Sequence, residues 1–468
     1  MTETVDGVDE TVDHYICTHT IEKNNRAFTF NSRRRTPRTP ITPVPGFEDS
    51  KVQVVVPESL DLEAPRRYPM RTLPTVSNRI ERVSRRVLPA LGLMLLAGCA
   101  KNAPQDFLHP EGDPAKTINT VNKIIFPLAG IVAVLVFIGV AVILWKFKDR
   151  GQPMPHQGHG KSTIEIGSIV VSASLLVVVA VPTFSTIFDL AETDDCNMVI
   201  NVTGQQWWWE FAYPVQDGID KPIVTSGDIV IPEGECVMLR ITSRDVIHSF
   251  WVPKLNGKKD AVPNRVHTLR FQADQPGVYL GQCAEFCGLS HANMKMNAIA
   301  LTRADFATWV ANQTAEKPMA SEGQAGFEGQ GVYSSYCTAC HQVDGLKDPS
   351  GNPVVAQADT TLVAGAAPNL THLMSRITFA GGTYWLQTEK CRDDLFNASP
   401  EEFGALYLKG VDESCLNRIE LEEWLRNAPA KKAMYPTLNE DGLGRGMPYL
   451  ALSEDQIDSL VEYLLTLQ

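Results

Sequence analysis

Two uninterrupted apolar runs, Ile124 to Trp145 and Ile166 to Phe188, set the outer limits on how this 468-residue chain folds. Each has about twenty residues, the length at which a helix crosses a hydrocarbon layer of roughly 30 Å. The first tolerates Pro127 near its start, and the second carries only Ser and Thr as polar residues. Between them Lys146, Lys148, Arg150 and Lys161 stand against the single acid Asp149. By the positive-inside rule that loop faces the cytoplasm, and everything after Asp189 lies outside. Two buried core helices fit this length and continuity poorly, so the pattern predicts a two-helix transmembrane hairpin.

The rest of the chain is too long for one ordinary domain. A net charge of −12 argues against a nucleic-acid partner, which requires a basic face. From residue 197 to 314 short β-branched or alternating runs, such as Met198-Val-Ile-Asn-Val-Thr and Cys236-Val-Met-Leu-Arg-Ile-Thr, are separated by Gly and Pro turns. This predicts an all-β sandwich or barrel. Residues 315–325 read as a linker, and residues 326–468 as an all-α domain. Its last helix is predicted from an N-cap Ser453, with apolar residues at 457, 460, 461, 464 and 465.

Residues 1–69 contain Ser32-Arg-Arg-Arg-Thr-Pro-Arg-Thr-Pro and no apolar periodicity. They read either as a disordered tail or as a stretch before a true start at Met70. From Met70 to residue 98 the chain has the make-up of a secretory signal: Arg82, Arg85 and Arg86, an apolar run, and then Leu96-Ala97-Gly98-Cys99. The last four residues resemble a bacterial lipobox, which implies lipidation at Cys99. Residues 99–190 then form the anchor.

Two stretches carry the chemistry. In Cys283-Ala-Glu-Phe-Cys287-Gly-Leu-Ser-His291-Ala-Asn-Met294, two thiols, an imidazole and a thioether are spaced to share a metal, and His248 offers a second imidazole. Paired thiolates with imidazole and thioether select copper. A lone Cys-x-x-x-Cys would read as a disulfide or zinc site; the full set argues against both. The second stretch, Cys337-Thr-Ala-Cys340-His341, has the spacing that attaches a c-type haem and supplies its proximal ligand. Met447, in a Met-Pro turn before the last helix, is the candidate sixth ligand, with Met434, Met374 and His372 as competitors.

With these residues in view, residues 99–314 resemble subunit II of the haem–copper cytochrome c oxidases. That resemblance implies a cupredoxin-like domain holding the dinuclear CuA centre. Cys283 and Cys287 would bridge the coppers, His248, His291 and Met294 would ligate through their side chains, and Glu285 through its backbone carbonyl. It also implies a magnesium site shared with subunit I at the Glu285 side chain, and an electron-accepting role for Trp207 in Gly204-Gln-Gln-Trp207-Trp208-Trp209. In Lys259-Asp-Ala-Val-Pro-Asn-Arg265, Asn264 replaces the family's usual Gly, and Asn tolerates a left-handed turn. Residues 326–468 resemble a class I cytochrome c, in which the carbonyl of Pro368 would accept the proximal imidazole's N–H.

The resemblance thus implies the CuA subunit of a proton-pumping oxidase in a bacterial plasma membrane. Electrons would pass from a fused haem c, supplied by cytochrome c or a bc-type complex, to CuA and on to subunit I, where oxygen is reduced. Subunit I and other oxidase subunits are the expected partners, with membrane lipid around the hairpin. The alternatives are the CuA subunit of a nitric oxide reductase-type enzyme and a non-catalytic copper/haem lipoprotein. Two cysteine pairs, Cys196 with Cys236 and Cys391 with Cys415, are candidate disulfides outside the cytosol.

Overall fold

In the computed structural model strand register decides where the chemistry sits, because neighbouring strands bring residues distant in sequence side by side. The structure describes residues 105–148, 150–151, 158, 160–192, 196–315, 319–347, 367–435 and 445–468. Cys99, its signal segment and the extension before it lie outside the described residues. All described residues belong to one compact unit, Leu88–Gln468.

Helices α1 (Asp113–Lys146) and α2 (Ser162–Ala191) contain the two apolar runs and are long and apolar enough to cross a membrane. The window of each that could cross is wholly unburied within the chain. Helix α1 begins eleven residues before the first apolar run, and these polar first turns have their own task. Ala115 and Val121 are buried, Lys116 pairs with Asp274 at 2.7 Å, and Glu111, just ahead of the helix, pairs with Lys254 at 2.6 Å. The helix is thereby seated on the domain that follows it.

That domain is a sandwich of two five-stranded sheets. The strands are β1 (Met198–Gln205), β2 (Trp208–Tyr213), β3 (Ile223–Ser226), β4 (Asp228–Pro232), β5 (Val237–Ser243), β6 (His248–Trp251), β7 (Lys259–Ala261), β8 (His267–Phe271), β9 (Gly277–Cys283) and β10 (Lys295–Leu301). One sheet has the order β3-β2-β1-β5-β8, the other β4-β10-β9-β6-β7. The alternating burial of β1 and β5 puts Ile200, Val202, Leu239 and Ile241 inside, as the period of two requires. Trp209, Phe211, Phe250 and Phe271 fill the centre, with Phe250 meeting each of the other rings edge-on. Asn264 takes φ +61°, the left-handed turn its identity allows. The cupredoxin-like expectation is met.

Helix α3 (Arg303–Thr314), N-capped by Thr302, buries Phe306 and Trp309 against the sandwich. Beyond it lie α4 (Phe327–Tyr336), α5 (Glu389–Phe396), α6 (Pro400–Leu408), α7 (Arg418–Lys431) and α8 (Glu454–Leu465). The C-terminal region is not purely helical, since β11 (Thr378–Phe379) and β12 (Tyr384–Trp385) form a short ladder. Helix α8 has a full capping box between Ser453 and Gln456, and buries Ile457, Leu460, Val461 and Leu464. It crosses α4 at Gly329, where any Cβ would strike the backbone of Ser459. Disulfides Cys196–Cys236 and Cys391–Cys415 are both closed.

Candidate metal centres

Strand register assembles the first centre. Phe250 in β6 lies opposite Cys283 in β9, which brings His248, the first residue of β6, beside the start of the β9–β10 loop. Cys287 follows four residues into that loop, and a single 3₁₀ turn, His291–Asn293, returns the chain to Met294. Six candidate donor groups converge. The Sγ atoms of Cys283 and Cys287 are 3.9 Å apart, and Cys283 Sγ is 4.0 Å from His248 Nδ1. Cys287 Sγ lies 3.6 Å from His291 Nδ1 and 3.9 Å from Met294 Sδ, and the Glu285 carbonyl is 3.3 Å from Cys283 Sγ. Ligands bound at about 2.0–2.3 Å to one tetrahedral ion lie about 3.3–3.8 Å apart, so separations of 3.3–4.0 Å bring these donors close enough to share a metal site.

The electrostatics agree. Cys283 is drawn down to about 3, first by its hydrogen bond with Cys287, while the same bond pushes Cys287 up. In a metal-free pocket the thiols share one proton, because a second buried thiolate beside the first is costly; a cation relieves that conflict. Burial pulls the His248 imidazole down, but Asp245 and Cys283 more than offset it and the net shift is upward. Asp245 Oδ1 lies 2.9 Å from His248 Nε2; since a carboxylate only accepts, Nε2 carries the proton and Nδ1 is left facing Cys283.

Trp207 donates from Nε1 to the carbonyl of Cys287 at 3.0 Å, and Gln206 Nε2 donates to the same oxygen at 2.8 Å. Trp207 is therefore wired to a thiol ligand's backbone, yet it is only 3 % exposed. The C-terminal region covers it. The Tyr435 ring lies 5.6 Å from the Trp207 ring, and Lys432 Nζ donates to the Trp207 carbonyl at 2.9 Å. Glu285, by contrast, is exposed, as are Phe286 at 78 % and Leu289 at 50 %.

Around the second motif, Cys337 is buried at the end of α4 and Cys340 is exposed one turn on. His341 Nδ1 lies 2.8 Å from the Pro368 carbonyl, the partner expected for it. Burial holds the His341 imidazole below its ordinary value and pushes the Cys337 thiol up to about 12. Neutral imidazole is the ligating form, and an un-ionised thiol is unlike the low-pKa Cys283 of the first centre. Met447 is partly buried against the C-terminal core. Met434 packs instead against the sandwich core, Met374 is fully buried, and His372 Nδ1 is engaged with the Gln468 carbonyl at 2.9 Å.

Sequence reasoning did not assign Asp245, Lys432, Tyr435 or Arg445 to the copper site. Asp245, three residues before His248, carried a local signal; the other three come from far along the chain.

Residues 198–301 match the family model described as "Cytochrome C oxidase subunit II, periplasmic domain". "Cytochrome c oxidase subunit 2" of Alkalihalophilus pseudofirmus is 31% identical over 407 residues, covering 83% of this chain and 99% of that protein. The subunit of the same name from Bacillus sp. (strain PS3) is 32% identical over 337 residues, covering 69% of this chain and 79% of its own length. Among solved structures, the periplasmic domain of subunit II of cytochrome oxidase (CoxB) of Bradyrhizobium japonicum is 30% identical. It covers 26% of this chain and 96% of that one, with a TM-score of 0.25. On the strength of the Alkalihalophilus and Bacillus relatives, the chain belongs to the cytochrome c oxidase subunit II family, as an oxidoreductase subunit of a haem–copper oxidase.

Proposed function

We propose that this chain is the electron-relay subunit of a proton-pumping oxidase, holding dinuclear CuA at His248, Cys283, Glu285, Cys287, His291 and Met294. We also assign it its own covalent haem c at Cys337 and Cys340, with His341 and Met447 as iron ligands. When bound, the two centres supply reversible one-electron chemistry. The observation that carries the reading is the seating of the C-terminal region on Trp207, through Tyr435 and Lys432. A donor region packed permanently on that tryptophan removes a diffusional docking step. The Alkalihalophilus alignment adds support: it covers 83% of the chain, and residues 1–314 make up only about two thirds, so it reaches into the C-terminal region.

Helices α1 and α2 are read as a membrane hairpin, with Cys99 as a lipid anchor. Exposed Phe286 and Leu289 beside Glu285 form an apolar rim suited to subunit I, with the Glu285 carboxylate at a shared magnesium. The test is mass spectrometry of the mature chain purified within its complex. A haem-sized adduct on the peptide containing Cys337 and Cys340, lost in C337A/C340A while copper is retained, is expected. A mature chain without that adduct sinks the haem assignment.

A further inference from the structure

His248 is oriented by Asp245, and Asp245 is in turn held from the far end of the chain. Its Oδ1 lies 2.9 Å from His248 Nε2 and accepts from Val246 N at 2.8 Å. Its Oδ2 accepts from Gln206 N at 2.9 Å and pairs with Arg445 Nε at 3.1 Å. The Asp245 and Arg445 side chains are 6 % and 5 % exposed, so this is a buried ion pair and not a surface contact. Arg445 is placed by a reciprocal backbone exchange with Tyr435, at 2.8 and 2.7 Å, and Tyr435 is the residue that lies against Trp207. Partners behind a metal-bound histidine set its tautomer and ring plane, and their loss costs about 10- to 100-fold in metal affinity or activity.

We infer that Arg445 is a positioning residue of the copper centre: by fixing Asp245 it fixes the His248 ring. The C-terminal region thus completes the hydrogen-bonded surroundings of the metal site that it covers. The inference rests on His248 being a copper ligand.

The test uses full-length protein purified in its oxidase complex, with copper retention against a chelator and the electron paramagnetic resonance spectrum of the copper centre as readouts. R445Q is expected to shift the copper spectrum and to lower copper retention by about 10-fold or more, with R445K restoring much of both. D245N should give the same spectral shift, and R445Q added to it should change nothing further. Where R445Q alone fails to fold because it strands a buried carboxylate, the R445M/D245N pair avoids that charge and should still show the shift. R418Q breaks ion pairs to Glu422, Asp458 and Glu462 elsewhere in the C-terminal region and should leave the copper signal as it is. A parent-like spectrum in R445Q or R445M/D245N overturns the inference, and so does an R418Q shift equal to that of R445Q. If the unaltered protein binds no copper, it is the copper assignment itself that fails.

Discussion

Replacing Lys432 with Met should change how stability depends on pH, in a direction fixed by where the amine sits. Lys432 is 3 % exposed and donates to the carbonyls of Ala380 at 2.7 Å, Trp207 at 2.9 Å and Asn293 at 3.1 Å. Burial lowers its pKa from 10.5 to about 7, with Cys287 acting weakly the other way. The unfolded chain keeps this proton to near 10.5, whereas the folded chain releases it near 7. Between those values the unfolded state binds one more proton, so the free energy of unfolding rises with pH by about 1.4 kcal/mol per unit. Below about 7 both states are protonated and the term is a constant penalty. From pH 7 to 9 the unaltered protein should therefore gain about 2 kcal/mol that K432M does not. Urea titrations of the full chain, followed by tryptophan fluorescence at pH 6, 7, 8 and 9, measure this difference provided the m-values agree. Parallel pH profiles for the two proteins would refute the reasoning.

Gly381 sits at φ +70°, and a Cβ there would meet the Trp207 carbonyl and Lys432 Nζ, so G381A should cost at least about 1–2 kcal/mol and lower Tm in a thermal scan. Opening the Cys391–Cys415 disulfide, which closes a 24-residue separation, should cost about 3 kcal/mol in C415S; free thiols at both positions in the mature protein would contradict the pairing. M294L should alter the copper spectrum while leaving the absorbance of the proposed haem untouched, since Met294 is fully buried and 3.9 Å from Cys287 Sγ. In C337A/C340A, turnover driven by an added soluble cytochrome should fall by about 100-fold, because Trp207 is covered; an unchanged rate would mean that the donor reaches copper by another route.

The proposed copper ligands could be picked out of the sequence because soft-metal chemistry favours Cys, His and Met side chains, and because four of them fall within only twelve residues, 283–294. The sequence offered His248 as a second imidazole and the family resemblance assigned it a role, but nothing in the spacing fixes which histidine pairs with Cys283 until the β6–β9 register is known. The sandwich could be read from strand alternation, while the order of strands within each sheet could not, because β1–β5 and β4–β10 pair in parallel across long crossovers. The extra turns at the start of α1 escaped notice because their helicity comes from packing on Asp274 and the sandwich, not from an apolar period. Lys432, Tyr435 and Arg445 were invisible for a deeper reason. A lysine, a tyrosine and an arginine near a Pro- and Gly-bearing stretch look like surface residues until tertiary contact buries them.

Those three residues change what the C-terminal region means for the copper site. A domain on a flexible linker would raise the local concentration of a donor but still dock and undock. Here the contacts are polar and desolvated: Lys432 satisfies the Trp207 carbonyl, Ser290 Oγ bonds the Ala433 carbonyl, Arg445 pairs with Asp245, and Asp228 accepts from Ile377 N at 2.7 Å. Separating the two surfaces would take the Lys432 amine, a guanidinium and two carboxylates from their partners. Buried charges deprived of a partner are costly, typically by several kcal/mol each until water reaches them. These partners hold the C-terminal region against the surface around Trp207. The side chains there hold that neighbour and, through Asp245, the proposed copper ligand His248.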